Sequence, residues 1–169
     1  MKIAVIGAGA IGGLVGARLA LAGEDVTFIV RGKNLEAIRA NGFKLISAEG
    51  EEQVARNLKA TDRYDEAGPQ DVVIVAMKAH QLEAVVKDLP RLFGPETVVV
   101  TMQNGIPFWY FQKHGGALEG HAVRSVDPDG AVAAGIPASR VIGCVVYPAS
   151  ELVAPGVVQH IEGDRFPLG

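Results

Sequence analysis

The sequence has little cysteine, few aromatic residues and no long apolar run. Cys144 is the single cysteine of the 169 residues, which excludes an internal disulfide and suits a reducing compartment, so we expect a cytoplasmic protein. No segment reaches the roughly 18 uninterrupted apolar residues that a membrane span needs, so the sequence predicts no membrane-spanning segment. Aromatic residues make up only 6% of the chain.

The chain also lacks an excess of positive charge. Its net charge of −3 gives no electrostatic case for binding nucleic acid or an anionic membrane. The aromatic run 108–111 is not accompanied by a basic groove, which argues against base stacking. The four histidines are His80, His114, His121 and His160, and their spacing is not that of metal ligands. Because there is also no second cysteine, we expect no metal site.

What the chain does have is an ordinary globular balance, with 49% hydrophobic and 21% charged residues. Its length fits one domain, which we place over residues 1–169. The 21 glycines suit an α/β protein with many tight turns. The N-terminal apolar run contains too many glycines for the core of a signal peptide, so we interpret it as a strand and a turn.

Short apolar runs alternate with helical segments through the first hundred residues. Strands are predicted at 3–6, 25–30, 71–76 and 97–102, and helices at 10–22, 34–40 and about 80–89. This alternation predicts an α/β, Rossmann-type, doubly wound and mostly parallel sheet. Additional short strands are predicted at 43–46, 54–58, 141–147 and 157–161, with a hairpin at the turn sequence 127–130.

A glycine motif follows the first predicted strand and opens the first predicted helix. The pattern G-x-G-x-x-G is formed by Gly7, Ala8, Gly9, Ala10, Ile11 and Gly12. In this context Gly7 permits a sharp turn, Gly9 lets the backbone approach a pyrophosphate, and Gly12 lets the helix pack closely on the strand. The helix N-terminus would then hold the anion. The alternative is a glycine-rich turn that binds no ligand.

The end of the second predicted strand indicates which dinucleotide binds. NAD enzymes place an acid there for the ribose 2′-hydroxyl, but this chain has Arg31. A guanidinium can grip a 2′-phosphate through a charge-assisted pair, which favours NADP. The alternative is a solvated arginine. Nearby acids, including Asp62 and Asp65, are expected to be solvated.

Three other features follow predicted strands, at the edge where doubly wound sheets bind ligands. They are the K-x-x-Q of Lys78 and Gln81, the Gln103-Asn104-Gly105 triplet, and the segment 146–149 that ends at Ala149. Together with the glycine motif and Arg31, they resemble the N-terminal domain of the ketopantoate reductase (2-dehydropantoate 2-reductase) family. The similarity covers essentially the whole chain.

The resemblance implies an NADPH-dependent oxidoreductase that reduces the 2-oxo acid ketopantoate to pantoate in pantothenate biosynthesis. By position, Arg31 would bind the 2′-phosphate, Lys78 and Gln81 would contact the cofactor, and Asn104 would lie between the nicotinamide ribose and the substrate. Ala149 would contribute backbone near the nicotinamide. Two alternatives stay open: Lys78 could be a solvated helix-start lysine, and Asn104-Gly105 could be a plain turn.

Members of the family continue into a helical domain that supplies the general-acid lysine and most substrate contacts. We therefore expect no catalytic residue in this chain, which alone would bind NADPH without turnover. Apolar surface should be exposed near Phe108, Trp109 and the last strands, and it would also allow a homo-oligomer to form. The segment 106–140 looks like an elaboration of one subgroup, so the substrate could be another 2-oxo acid.

Two other functions are weighed against this one. The first is another dehydrogenase with a Rossmann domain and a helical domain, of the hydroxyisobutyrate or 6-phosphogluconate type; Lys78, Gln81 and Asn104 argue against it. The second is a nucleotide-sensing module, which typically keeps an acid on the ribose. Arg31 and the Gln103-Asn104-Gly105 triplet argue against that module.

Overall fold

In the computed structural model, which describes residues 1–169, six strands form the main sheet. In spatial order they are β5 (Leu58–Thr61), β2 (Asp25–Ile29), β1 (Lys2–Ile6), β6 (Gln70–Val75), β7 (Phe93–Met102) and β8 (Val141–Cys144). All five strand pairs are parallel. The strand order runs outward in both directions from β1 and β6, which makes a topological switch point between them. The predicted Rossmann-type sheet is confirmed.

The inner strands are near-continuous apolar runs because both of their faces are covered. Residues 3–6 of β1 and 26–29 of β2 are all buried. The side chains of each strand point to these two covered faces, so a polar side chain within the strand would have few partners. These runs were recognisable from the sequence, and the predicted bounds of β1 and β2 hold to within one residue.

A second sheet of four strands lies apart from the first. Its order is β4 (Glu52–Ala55), β3 (Phe43–Ile46), β10 (Val157–Glu162) and β9 (Ala149–Ala154). The β3–β10 pair is parallel and the other two pairs are antiparallel. The prediction of one strand over 54–58 is wrong, because the chain leaves the second sheet after Ala55 and enters the main sheet at Leu58.

The helix α1 (Ala10–Leu21) lies between the two sheets and contacts β1 and β2 on one side and β3, β4, β9 and β10 on the other. Its glycines let both sheets pack closely against the helix. A Cβ on Gly13 would lie 2.6 Å from the ring of Phe43, and one on Gly16 would overlap the ring of Phe28. Those two rings stack with their centroids 5.0 Å apart. The helix therefore has no polar face to expose.

The other helices differ from the prediction in different ways. The helix α2 (Gly32–Asn41) follows β2 and is longer than the predicted 34–40, and α3 (Tyr64–Ala67) follows β5. The predicted helix over 80–89 is wrong as one element. It is divided into a 3₁₀ turn (Ala79–Gln81), α4 (Glu83–Val86) and a second 3₁₀ turn (Leu89–Leu92). Pro90 lacks the N–H that would let α4 continue, and β7 begins directly after the second turn.

The predicted hairpin at 127–130 is also wrong. The helix α5 (Ala131–Gly135) begins there instead. The buried Asp127 accepts hydrogen bonds from Val132 N and Ala133 N, both at 3.0 Å, and so satisfies two free N–H groups of the first helical turn. The turn residues are present, but they lead into a helix. A 3₁₀ turn (Ala138–Arg140) then precedes β8.

The last residues of the chain run antiparallel beside β8. The strand β8 ends at Cys144, three residues earlier than predicted, but Val145 N donates to Pro167 O at 3.1 Å and Gly169 N donates to Gly143 O at 3.0 Å. Residues 163–169 thus cover the outer edge of the main sheet. None of the helices combines the length and apolarity needed to cross a membrane.

Candidate functional site

Three adjoining cavities open along the carboxyl ends of the main-sheet strands. Their volumes are about 490, 540 and 300 Å³. The first two share Gly9 and Arg31, and the second and third share Ile11 and Lys78. They therefore form one continuous groove, from Arg31 to Val146, which we call the carboxyl-edge cleft.

Sheet order fixes the sequence of chemical groups along this cleft. Because neighbouring parallel strands end at the same edge, each strand contributes the residues that follow it. Their spatial order is Asp62 after β5, Arg31 after β2, Gly7 after β1, Lys78 after β6, Asn104 after β7 and Val146 after β8. The sequence features expected at one edge are thus brought together there.

The glycine turn lies in the middle of the cleft. Gly7 has a φ of +95°, in the left-handed region that favours glycine. A Cβ on Gly12 would overlap the carbonyl oxygen of Gly7 and approach Ala76 Cβ to 3.1 Å. The geometry therefore agrees with the turn role of Gly7 and the packing role of Gly12.

Gly9 and the start of α1 face open space. Gly9 has an ordinary φ of −82°, and a Cβ there would meet no protein atom within 4 Å, so the fold does not require glycine. The first hydrogen bond of α1 runs from Gly13 N to Gly9 O at 2.8 Å. The N–H groups of Ala10, Ile11 and Gly12 precede it and have no partner in the protein. This open cradle of donors fits an anion such as a diphosphate.

At one end of the cleft, the Arg31 end, charged side chains line the cavity. Arg31 is exposed and takes part in no side-chain hydrogen bond or salt bridge. Asp62, Tyr64 and Asp88 line the same cavity. Burial and the nearby carboxylate of Asp88 raise the pKa of Tyr64 to about 12, while Arg31 acts in the opposite direction. Asp62 is exposed, as predicted, but its place in the cleft was not foreseen.

Asn34 is a cleft residue that the sequence did not reveal. Its Nδ2 donates to Ala8 O at 3.3 Å, and its Oδ1 accepts from Gly156 N at 3.0 Å. Gly156 lies in the turn between β9 and β10, 122 residues along the chain. Asn34 therefore connects the glycine turn to the second sheet by hydrogen bonds. No local sequence pattern predicts this contact.

Lys78 and Gln81 line the cleft in the segment that follows β6. Lys78 is exposed and immediately precedes the 3₁₀ turn, so it lies outside any helix. Gln81 N donates to Lys78 O at 2.9 Å, and Gln81 Oε1 accepts from Lys78 N at 3.3 Å. Gln81 thus holds the backbone of Lys78 and keeps its own amide N–H groups free. Their contact with a cofactor stays a prediction.

At the other end of the cleft, the Asn104 end, side-chain amides join neighbouring strands. Asn104 Nδ2 donates to Val146 O and Asn104 Oδ1 accepts from Val146 N, both at 3.0 Å. Gln103 Nε2 donates to Met77 O at 2.9 Å. The amide of Asn104 keeps one N–H and one lone pair for a ligand, in an orientation that the protein fixes. Its substrate contact stays a prediction.

Ala149 is not among the residues that line the cleft. It is the first residue of β9 and pairs with Glu162 in the second sheet. Val146, at the start of the same sequence motif, lines the cleft instead. The part that Ala149 takes in cofactor binding therefore stays a prediction, and the structure adds Val146 as a residue of the Asn104 end.

Apolar surface lies beside the Asn104 end, as expected. Phe108 itself is buried, but Ile106 is 59% exposed, Tyr147 66% and Leu168 63%. Cys144 is buried, with 5% of its surface exposed, and burial raises the pKa of its thiol. No group of three or more His, Cys, Asp or Glu side chains is placed to hold a metal ion.

Comparisons with known proteins agree with this geometry. The sequence profile of the family described as "Ketopantoate reductase PanE/ApbA" matches residues 3–169. A 2-dehydropantoate 2-reductase of Mesorhizobium japonicum is 51% identical over all of this chain and 52% of its own length. A Pyrococcus horikoshii protein of the same name is 42% identical over 63% of this chain and 34% of its own length.

Solved structures give the same result. A Ralstonia solanacearum protein classed with the ketopantoate reductases has a TM-score of 0.93 at 42% identity, over 99% of this chain and 51% of its own. The 2-dehydropantoate 2-reductase of Geobacter metallireducens has a TM-score of 0.80 at 31% identity, over 100% of this chain and 49% of its own. The chain thus spans about half the length of the relatives it matches. Profile, sequence and structure agree that this chain belongs to the ketopantoate reductase PanE/ApbA family.

Proposed function

We propose that this chain is the NADPH-binding half of a 2-oxo acid reductase whose substrate is 2-dehydropantoate, in pantothenate biosynthesis. The observation that carries the proposal is the continuous carboxyl-edge cleft. It places a cation without a partner, Arg31, at one end and an oriented amide, Asn104, at the other, with the open glycine turn between them. Relatives named 2-dehydropantoate 2-reductase support the substrate.

The preference for NADP rests on Arg31. It is the single cationic residue that lines the 490 Å³ cavity, where Asp62 and Asp88 also lie. A 2′-phosphate would be repelled by those carboxylates unless a guanidinium binds it. The fold alone does not choose the cofactor, since a D-mandelate dehydrogenase solved with NADH has the same fold, with a TM-score of 0.76 at 23% identity.

At the Asn104 end, the chain's own residues bind and orient. Bound NADPH supplies the hydride that a 2-oxo acid accepts at its C2 carbonyl. Asn104 would hold hydroxyl or carboxylate groups without adding charge, and Lys78 would place a positive charge beside the glycine turn. The resemblance assigns the general-acid lysine and most substrate contacts to a helical domain, for which the apolar surface at Ile106 and Tyr147 is a suitable interface.

The cofactor assignment is tested by titrating the chain with NADPH and NADH and following nucleotide fluorescence. We expect NADPH to bind roughly ten- to hundredfold more tightly, which is the effect of one charge-assisted hydrogen bond. The variant Arg31→Asp should lose this preference. The matched control is Lys33→Asp, which makes the same charge change two residues away, outside the cleft. Equal affinities in the unmodified chain would contradict the assignment.

The division of labour is tested by NADPH oxidation with ketopantoate. We expect this chain to bind NADPH without turnover, because a positioned general acid contributes about 10²–10⁴-fold and substrate orientation contributes more. The reference enzyme is the longer Mesorhizobium japonicum relative. Turnover by this chain within about tenfold of that enzyme would show that the catalytic groups lie here, since the loss of a general acid alone exceeds that factor.

A further inference from the structure

Asp62 lies beyond Arg31 at the outer edge of the main sheet. It directly follows β5, the edge strand, which pairs with β2 and so lies two strands away from β1 and the glycine turn. Neighbouring strands are about 4.8 Å apart, so the end of β5 lies roughly 10 Å from the end of β1. If a diphosphate occupies the glycine turn and a ribose phosphate meets Arg31, the base lies at the end of β5.

The surroundings of Asp62 suit a flat base. It shares the 490 Å³ cavity with the half-buried ring of Tyr64 and the apolar side chains of Ala84 and Val85. These offer apolar contact, whereas Asp62 offers a carboxylate at the rim. A ring that packs on the apolar wall can therefore present its polar edge to Asp62.

The carboxylate of Asp62 has no structural task within the protein. It forms no hydrogen bond and no salt bridge, although it lies next to the start of α3. Thr61 takes the local role there, since its Oγ1 accepts from Arg63 N at 3.1 Å and donates to Glu66 Oε2 at 2.5 Å. Asp88 in the same cavity is engaged with Arg91, at 3.6 Å. Asp62 is thus the carboxylate of this cavity that has no partner in the protein.

We propose that Asp62 is a specificity-determining residue that accepts a hydrogen bond from the 6-amino group of adenine, so that the cleft selects adenine dinucleotides over their hypoxanthine counterparts. A carboxylate only accepts hydrogen bonds, and the exocyclic amino group of adenine donates. Hypoxanthine has a carbonyl oxygen at that position, so two acceptors would face each other and the contact would be repulsive. This inference rests on the proposed NADPH site and adds to it the group that reads the base.

The test compares NADPH with the reduced form of nicotinamide hypoxanthine dinucleotide phosphate. Each is titrated into the chain, and binding is followed by nucleotide fluorescence. We expect the hypoxanthine form to bind about tenfold more weakly to the unmodified chain, because a charged acceptor loses its donor. In Asp62→Asn the amide can turn its N–H₂ toward the carbonyl, so the ratio should fall toward one. The control is Asp65→Asn, whose carboxylate pairs with Arg63 at 2.8 Å outside the cleft and whose ratio should stay unchanged.

Each other outcome overturns the inference. Equal binding of the two dinucleotides to the unmodified chain would show that the base is not read, and this comparison needs no variant. An unchanged ratio in Asp62→Asn, even with tighter binding of both ligands, would show that Asp62 acts only through its charge. Either result leaves the NADPH site intact. Failure of the chain to bind either dinucleotide would overturn both this inference and the proposed function.

Discussion

The two ends of the carboxyl-edge cleft differ in what their polar side chains do without a ligand. At the Arg31 end, Arg31 and Asp62 have no partner in the protein. At the Asn104 end, Asn104 and Gln103 are hydrogen-bonded to the backbone that follows the neighbouring strands. The polar side chains of the Arg31 end are thus available to bind a ligand, while those of the Asn104 end hold the ends of β6, β7 and β8 in register.

This difference has an energetic consequence. Exposed charges without partners keep their hydration in the folded state, so replacing them should change ligand affinity much more than the free energy of unfolding. Replacing a paired amide removes hydrogen bonds that contribute about 1 kcal/mol each to folding. Affinity and stability should therefore respond separately to substitutions along the cleft.

The largest effect is expected in the glycine turn. There, a residue that the fold requires and a residue that only a ligand requires lie within four positions of each other. In Gly12→Ala the new Cβ overlaps Gly7 O, and relief of such overpacking costs about 3 kcal/mol or more of folding free energy. Gly9→Ala should leave the melting temperature unchanged, because nothing lies within 4 Å of its Cβ, but it should weaken NADPH binding. Thermal denaturation and nucleotide titration measure the two effects. Equal stability losses in both variants would break the distinction.

A smaller effect is expected at the Asn104 end. Asn104→Asp removes the donor to Val146 O and sets a carboxylate against that carbonyl. We expect a loss of about 1–2 kcal/mol, which lowers the melting temperature by roughly 2–8 °C. Asp62→Asn is the matched variant at the other end, and it should have the same melting temperature as the unmodified chain. The comparison between the ends is wrong if Asp62→Asn is the less stable of the two.

Asn34 lies at the Arg31 end, but its side chain is hydrogen-bonded within the protein. Asn34→Asp keeps the acceptor for Gly156 N and removes the donor to Ala8 O, so we expect a loss of about 1 kcal/mol together with weaker NADPH binding. Urea denaturation and titration give the two values. Unchanged affinity in a less stable variant would show that Asn34 supports the fold without positioning the glycine turn.

The smallest effect concerns the titration of Tyr64. Its pKa of about 12 lies above the ordinary value of 10.0, mainly through burial. A raised folded-state pKa contributes stability that is present below the unfolded value and is lost as pH rises from 10.0 toward about 12. Absorbance at 295 nm should show a phenol that ionises near pH 12, and Tyr64→Phe should remove that step. A Tyr64→Phe variant that keeps the step would contradict the burial of this ring.

The sequence was sufficient where structure is local. The turn from Gly7 to Gly12, Arg31 after β2 and Asn104 after β7 could all be placed, because an apolar run that ends in glycine or polar residues marks the carboxyl end of a strand. Sheet order then brought these ends together, as the general rule for doubly wound folds requires.

Contacts between distant segments could not be predicted in this way. The second sheet pairs β3 with β10 from opposite ends of the chain, and Asn34 meets a turn 122 residues away. The sequence 127–130 has turn residues that suit a hairpin, but whether a helix or a strand follows depends on Asp127 being buried under α5. Asp62 gave no signal, since a solvated aspartate and one that lines a cleft look alike in sequence.

We expect a dinucleotide to lie along the cleft with its adenosine part at the Arg31 end. Amide chemical-shift mapping of the chain with 2′,5′-ADP and then with NADPH tests this directly. We predict that 2′,5′-ADP shifts the signals of Arg31, Asp62 and the glycine turn, and that NADPH additionally shifts those of Asn104 and Val146. A shift of the Asn104 end by 2′,5′-ADP, or no shift of the turn from Gly7 to Gly12 by either ligand, would contradict this placement of the dinucleotide.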